Sequence, residues 1–311
     1  MNDMYCRQVA LLIRVMPLVF KINDFAVHGG NAINLFHRNL PRYSVDIDIT
    51  YIPLEDRDTS LANINSHLSA LKTAIERAVP GIRVIHKTDV WKLQCTKDGT
   101  TIKIEVNGTK RGILGNTEKI EFCEKAKEEF GMTCFANIVS WGQLFGGKIA
   151  AALSRQHPRD LFDCRDIASD EFGEVKSGFM LCLAGSDKPI MESLNPNPID
   201  QQDALYNQFE GMTDEPFSYE DYQNARINLI RVVNQGVTDE DKEFLISFEN
   251  GDPDWSICCG GDLSKYPSVK WKLQNIAKLK SKKPAKHKEG IDRLISYFQK
   301  LPESSLNNDE G

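Results

Sequence analysis

The stretch Arg42-Tyr-Ser-Val-Asp-Ile-Asp-Ile-Thr alternates strictly from Ser44 onward. Val45, Ile47 and Ile49 fall on one side, and Ser44, Asp46, Asp48 and Thr50 on the other. A period of two is that of a β-strand with one apolar face, so the spacing predicts a strand over Ser44 to Tyr51. The apolar side supplies a core face. It leaves Asp46 and Asp48 on the opposite side with Cα atoms about 6–7 Å apart. Two carboxylates so placed repel each other unless a cation or water screens them. Upstream, Phe25-Ala-Val-His is a short extended run that stops at Gly29-Gly30. A helix is expected just past the glycines, carrying Ile33, Leu35 and Phe36.

Working outward, Val9, Leu12, Ile13 and Met16 recur at helical spacing within residues 5–20, and 61–79 reads as a second helix. Val90–Thr96 and Thr101–Asn107 flank Lys97-Asp98-Gly99-Thr100, an Asp-Gly turn between alternating runs and thus a hairpin. A further strand is expected near Gly81 to His86. On the second arm of the hairpin Ile102, Ile104 and Val106 point one way, and Lys103, Glu105 and Asn107 the other. A helix is expected from Ile138 to Arg155, ended by His157-Pro158, with Pro158 suiting the first turn of the next. Three prolines and a glycine between Ala184 and Gln202 read as a linker or irregular connection. Helical patterns follow at 219–234, from Thr238 to Phe248, at 269–280 and at 288–300. The expected domains are therefore residues 1–185, mixed α and β, and 200–311, helical.

With 311 residues, 41% of them hydrophobic, the chain has ample material for a core. The apolar stretch Val9–Phe20 is interrupted by Arg14 and Pro17 and is too short to span a bilayer. Met1–Gln8 shows no signal-peptide pattern, and the expected location is cytoplasmic, without membrane attachment. The eight cysteines are scattered, without a Cys-x-x-Cys pair, and read as reduced thiols rather than zinc ligands. A net charge of −6 argues against the whole molecule acting as a magnet for nucleic acid. Lys278-Leu-Lys-Ser-Lys-Lys-Pro-Ala-Lys-His-Lys is the local exception. It reads either as a solvated inter-helix loop or as a phosphate-contacting edge for RNA.

Alone, each feature near Asp46 has an ordinary explanation: a solvent-facing acidic strand, or a glycine turn. In order they fit nucleotidyl transfer. Such chemistry needs a nucleoside triphosphate held open to in-line attack, with divalent metal neutralising its charge. Asp46 and Asp48 are placed to hold Mg²⁺ or Mn²⁺, with Glu105 on a neighbouring strand as third carboxylate. Gly29-Gly30 would let backbone amides approach phosphate, and Ser44 is a candidate phosphate contact.

The chain here resembles the AbiEii-type nucleotidyltransferase toxins of bacterial toxin–antitoxin and abortive-infection systems. Gly29-Gly30, Arg42-x-Ser44-x-Asp46-x-Asp48 and Lys148-Ile-Ala-Ala-Ala-Leu-x-Arg155-x-x-Pro158-Arg159-Asp160-Leu-Phe-Asp163 carry the likeness, over residues 5–170 and more loosely beyond. Many relatives have Gly-Ser where this chain has Gly29-Gly30, so Ser44 or Asn31 is expected to supply the missing hydroxyl's contact. The resemblance implies an α+β architecture: a DNA-polymerase-β-like nucleotidyltransferase core with a mixed sheet, plus a helical C-terminal domain. It also implies transfer of a nucleoside monophosphate from an NTP to RNA, often the 3′ end of tRNA, or to a protein hydroxyl, and a cognate antitoxin. Within it, Lys148 is expected to contact the triphosphate and Arg155, two helical turns on, to share its cleft. Asp160 and Asp163 are expected either to order Lys148 or Arg159, or to act as general base. Two other readings stand beside it: transfer to a small molecule such as an antibiotic, and a catalytically idle nucleotide- or partner-binding module.

Overall fold

The computed structural model describes residues 2–301. Asn2 caps α1 (Asp3–Val19), its side chain accepting from the Met4 amide at 2.7 Å. Val9, Leu12, Ile13 and Met16 are fully buried, as their helical spacing requires. The chain then forms β1 (Phe25–His28), α2 (Gly29–Ala32) running into a π-helical turn (Ile33–His37), and β2 (Asp46–Tyr51). After α3 (Arg57–Ala78) come β3 (Arg83–Lys87), β4 (Lys92–Lys97), β5 (Thr100–Val106), β6 (Glu118–Glu121), α4 (Glu124–Phe130) and β7 (Phe135–Ile138).

These strands build a mixed seven-stranded sheet in the order β3-β4-β5-β2-β1-β7-β6. β2 lies near its centre, antiparallel to β1 and parallel to β5. The β4–β5 hairpin forms as expected: Asp98 and Gly99 have φ of 48° and 76°, the paired positive values of a two-residue turn that matches strand twist. Ile47, Ile49 and Ile104 are buried beneath the sheet's apolar face. Up to Ser140, three elements have no counterpart in the sequence reading: β6, α4 and β7. Each of the two strands spans four residues, too few periods for alternation to register, and Glu118 and Lys119 are exposed. Pairing decides them: β7 joins β1 through Val27 and Ile138, and β6 follows β7.

This sheet belongs to a compact unit made of Met1–Ser140 and Tyr206–Pro216. The returning segment is tied to the entry of β2. The Tyr43 amide donates to Met212 O at 2.7 Å, and Thr213 Oγ1 to Pro41 O at 2.8 Å.

The second unit, Trp141–Leu205 with Phe217–Gly311, is helical. Its elements are α5 (Trp141–Arg155), α6 (Pro158–Cys164), α7 (Ser169–Ala184), α8 (Ile190–Leu194), the start of α9 (Gln202–Gln208), α10 (Tyr219–Gly236), α11 (Asp239–Glu249), α12 (Pro267–Lys282) and α13 (Pro284–Phe298). The expected mixed sheet and helical C-terminal part are both present. The units divide at Ser140 rather than in the proline-rich stretch, because α5 packs backbone to backbone on α7. A Cβ on Gly146 would sit 2.6 Å from Val175 O, and one on Gly178 2.7 Å from Gln143 Cα. The proline-rich stretch is tied down within this unit. Buried Gln156 donates to Asn197 O at 2.7 Å and accepts from the Ile199 amide at 3.0 Å, while Lys188 Nζ reaches Ser154 O at 2.6 Å. No helix among the described residues is long and apolar enough to cross a membrane.

Candidate active site

The end of β1 and the start of β2 lie side by side, with His28 in register with Asp48. β1 cannot continue past His28, because Gly29 turns the chain with φ of 74°. That left-handed conformation is easily adopted only by glycine. Space demands the same residue: a Cβ on Gly29 would collide with the Asp48 carboxylate, lying 3.0 Å from its Cγ. At Gly30 a Cβ would come within 2.7 Å of Ser44 Oγ and 2.9 Å of Arg42 Nη2. The two glycines thus let the backbone lie directly against Asp48, Ser44 and Arg42. The alternation of β2 is as read: Ile47 and Ile49 are buried, and Asp46 and Asp48 are half-buried on the other face. Ordered strand structure begins at Asp46, two residues later than expected.

Two further side chains, Asn31 and Arg42, shape this site from beneath. Asn31, completely buried, donates its side-chain amide to the main-chain carbonyl of Asp46. Its Oδ1 is buried without a hydrogen-bond partner among the described residues. Asn31 therefore positions the first residue of β2, and an amide so enclosed is unsuited to contacting phosphate. Arg42, 2% exposed, donates from Nη1 to Tyr43 O at 2.8 Å and lies beside Gly30. Its place in the Arg42-x-Ser44-x-Asp46 pattern was the signal for it.

Glu105 lies where the face argument put it, opposite Asp48 across the parallel β2–β5 pair. Its carboxylate, however, meets Lys92 Nζ at 2.6 Å. Lys92 is its register partner on β4. This neighbour was readable in the sequence: the Asp98-Gly99 turn pairs Lys97 with Thr100, and counting back five residues on each arm pairs Lys92 with Glu105. Among the described residues no three His, Cys, Asp or Glu side chains converge to hold a metal ion. Asp46 and Asp48 alone still suit a hard divalent cation. Mg²⁺ is commonly held by one or two carboxylates and completed by water and substrate phosphate oxygens.

The residues expected downstream form their own cluster inside the helical unit. Pro158 opens α6, with the His157 ring nitrogen accepting from the Arg159 amide at 3.2 Å. That start places Asp160 and Asp163 one turn apart on α6, facing Lys148 of α5. Lys148 Nζ lies 3.1 Å from Asp160 and 3.0 Å from Asp163, and all three side chains are almost wholly buried. Asp160 also binds Arg155 at 2.8 Å, and it is Arg155, not Arg159, that it orders. Burial works to raise the Asp160 pKa, but Lys148 and then Arg155 outweigh it and hold the carboxyl below its ordinary range. A carboxylate so stabilised is a poor general base at neutral pH. The guanidinium of Arg155 remains mostly exposed, at 64%.

A mixed sheet carrying two carboxylates against a Gly-Gly backbone suits the chemistry of a nucleotidyltransferase. More specifically, the chain belongs to the family of nucleotidyl transferase AbiEii toxins of type IV toxin–antitoxin systems, whose model matches residues 10–275. Among solved structures it is similar to MenT4, a nucleotidyltransferase toxin from Mycobacterium tuberculosis H37Rv. The TM-score is 0.55 at 14% identity, covering 89% of this chain and 91% of that one, a likeness of fold. No curated protein matches the chain in sequence.

Proposed function

We propose that this toxin-family chain transfers a nucleoside monophosphate from an NTP to an RNA acceptor, tRNA in the first instance, with a divalent metal ion. The observation that carries the reading is the packing of Asp48 against Gly29, which joins a carboxylate pair to a backbone that a phosphate can approach. In the reaction an acceptor hydroxyl attacks the α-phosphorus, the bond to the β-phosphate breaks, and pyrophosphate leaves. Gly29, Gly30 and Ser44 receive the phosphates. Asp46 and Asp48 would hold Mg²⁺ or Mn²⁺, which supplies charge neutralisation at the triphosphate. Within the helical unit Arg155 keeps a mostly exposed guanidinium. Lys148 pairs with Asp160 and Asp163, and Asp160 in turn binds Arg155. As a toxin of the bacterial cytoplasm the chain has a cognate antitoxin as its partner.

The test is label transfer to total tRNA from each of the four NTPs labelled at the α-phosphorus. We expect transfer with one of them, dependent on Mg²⁺ or Mn²⁺ and absent in Asp46→Ala and in Asp48→Ala. Transfer that persists in both variants removes the carboxylate pair from the reaction. Antibiotic resistance on expression, in place of growth arrest, would move the acceptor from RNA to a small molecule.

A further inference from the structure

The lysine-rich segment noted in the sequence folds as the junction of two helices in the helical unit. Lys278, Lys280 and Lys282 end α12, Lys283 lies between, and Lys286 and Lys288 open α13. The junction is anchored from beneath. The buried His287 ring shares a hydrogen bond with Glu249 O at 2.9 Å, and Lys280 Nζ donates to Asn250 O at 2.9 Å. The other five lysines are exposed, and none pairs with a carboxylate among the described residues. Glu289, the nearest acid in sequence, is taken by Arg293.

Folding stability accounts for part of this charge and not the rest. Lysines in the last turn of α12 complement the helix dipole, whereas Lys286 in the first turn of α13 opposes it, and that turn holds no acid. Five unpaired like charges at one junction also repel one another in a chain whose net charge is −6. A polyanion removes both penalties. The outward face of α12 adds a second feature. Trp271, 55% exposed, shares a helical stripe with Gln274, Asn275, Lys278 and Lys282. The apolar side of α12, Val269 and Ile276, is buried against the unit. A membrane-surface helix presents an apolar stripe outward. This helix presents lysines, amides and a single aromatic ring, the combination that binds backbone phosphates and stacks a base.

We infer that the α12–α13 junction is an RNA-docking surface, with Lys278, Lys282, Lys283, Lys286 and Lys288 on the sugar-phosphate backbone and Trp271 stacking an unpaired base. The inference rests on the reading that RNA is the acceptor, and it assigns that RNA a second point of attachment, separate from the nucleotide-binding residues.

The experiment measures binding of fluorescently labelled total tRNA to the full chain by anisotropy, without NTP, across a series of KCl concentrations. Changing all five lysines to Gln is expected to weaken binding about tenfold or more at about 100 mM salt and to flatten the salt slope, since each phosphate contact carries roughly 0.7–0.9 of that slope. The same five positions changed to Arg are expected to retain affinity, and Trp271→Ala to weaken binding without changing the slope. An unchanged affinity and slope in the Gln variant overturns the inference. So does a loss as large in the Arg variant, or capture of the wild type by anionic phospholipid vesicles with no binding to tRNA. Asp46→Ala is expected to bind tRNA normally. Lysine-dependent binding in a chain that transfers no nucleotide to RNA overturns the reading of the reaction and leaves the docking surface standing.

Discussion

The carboxylate of Asp48 occupies the space that a Cβ on Gly29 would need. Backbone strain and the geometry of the acidic pair therefore meet at one residue, and the two can be separated. Gly29→Ala suffers the positive-φ penalty and displaces Asp48. Gly115→Ala, at φ of 67° and with open space for 4 Å around the added methyl group, suffers only the first. Gly115→Ala should lose about 1–2 kcal/mol in denaturant unfolding, and Gly29→Ala at least as much. Only Gly29→Ala should also lose nucleotide transfer, by about 100-fold, as small misplacements at reacting centres do. Equal activity in the two variants would detach Asp48 from the site.

Glu105 faces Asp48 but binds Lys92. Asp46→Asn and Asp48→Asn should each cut transfer by about 1,000-fold, the scale of losing a main electrostatic group at the transition state. Glu105→Gln should cost less than about tenfold, the modest end of electrostatic effects. Metal titration of the activity distinguishes the cases. A Glu105→Gln loss that excess Mn²⁺ restores would make Glu105 the third ligand.

Lys148 compensates two carboxylates with almost no solvent access. Lys148→Met should lower unfolding stability by about 3–5 kcal/mol at neutral pH, because breaking a buried ion pair strands its partners. The pH dependence should then reverse. In the wild type the folded pKa of Asp160 is depressed. Its contribution is thus complete above the unfolded value of about 3.9 and is lost as pH falls through the lower folded value. In Lys148→Met, acidification towards pH 5 should instead recover stability, as the stranded carboxylates protonate. Urea titrations at several pH values read both slopes.

At Gly146 and Gly178 the α5–α7 contact has no room for a side chain. Gly178→Ala should destabilise the protein by about 1–3 kcal/mol through overpacking, measured by thermal unfolding. Gly173→Ala on the same helix, where a Cβ meets nothing within 4 Å, should be neutral or stabilising.

Much of the site was legible in the residues themselves. Alternation through Ser44–Tyr51 put Asp46 and Asp48 on one face, and the Asp98-Gly99 turn set the β4–β5 register. Both are local effects, decided by side-chain period and by φ values that particular residues allow. The helix starts at Pro158 and Thr238 were equally local, resting on a preset φ or a capping oxygen. The acidic face was thus written in the chain before any folding.

What local rules could not reach were relationships between segments distant in sequence. Strands β6 and β7 are too short to announce themselves and exist through pairing that begins at β1. Helix α7 escaped because its decisive residues are glycines, poor helix formers that serve here to admit another backbone. Lys148 was expected to contact the triphosphate, and Asp160 and Asp163 either to order Lys148 or Arg159 or to act as general base. Packing α6 on α5 instead buried them together, where desolvated charges must satisfy one another. Periodicity and turn chemistry determined which residues share a face. Only the tertiary structure decided which faces meet, and so which charges are left for solvent and ligand.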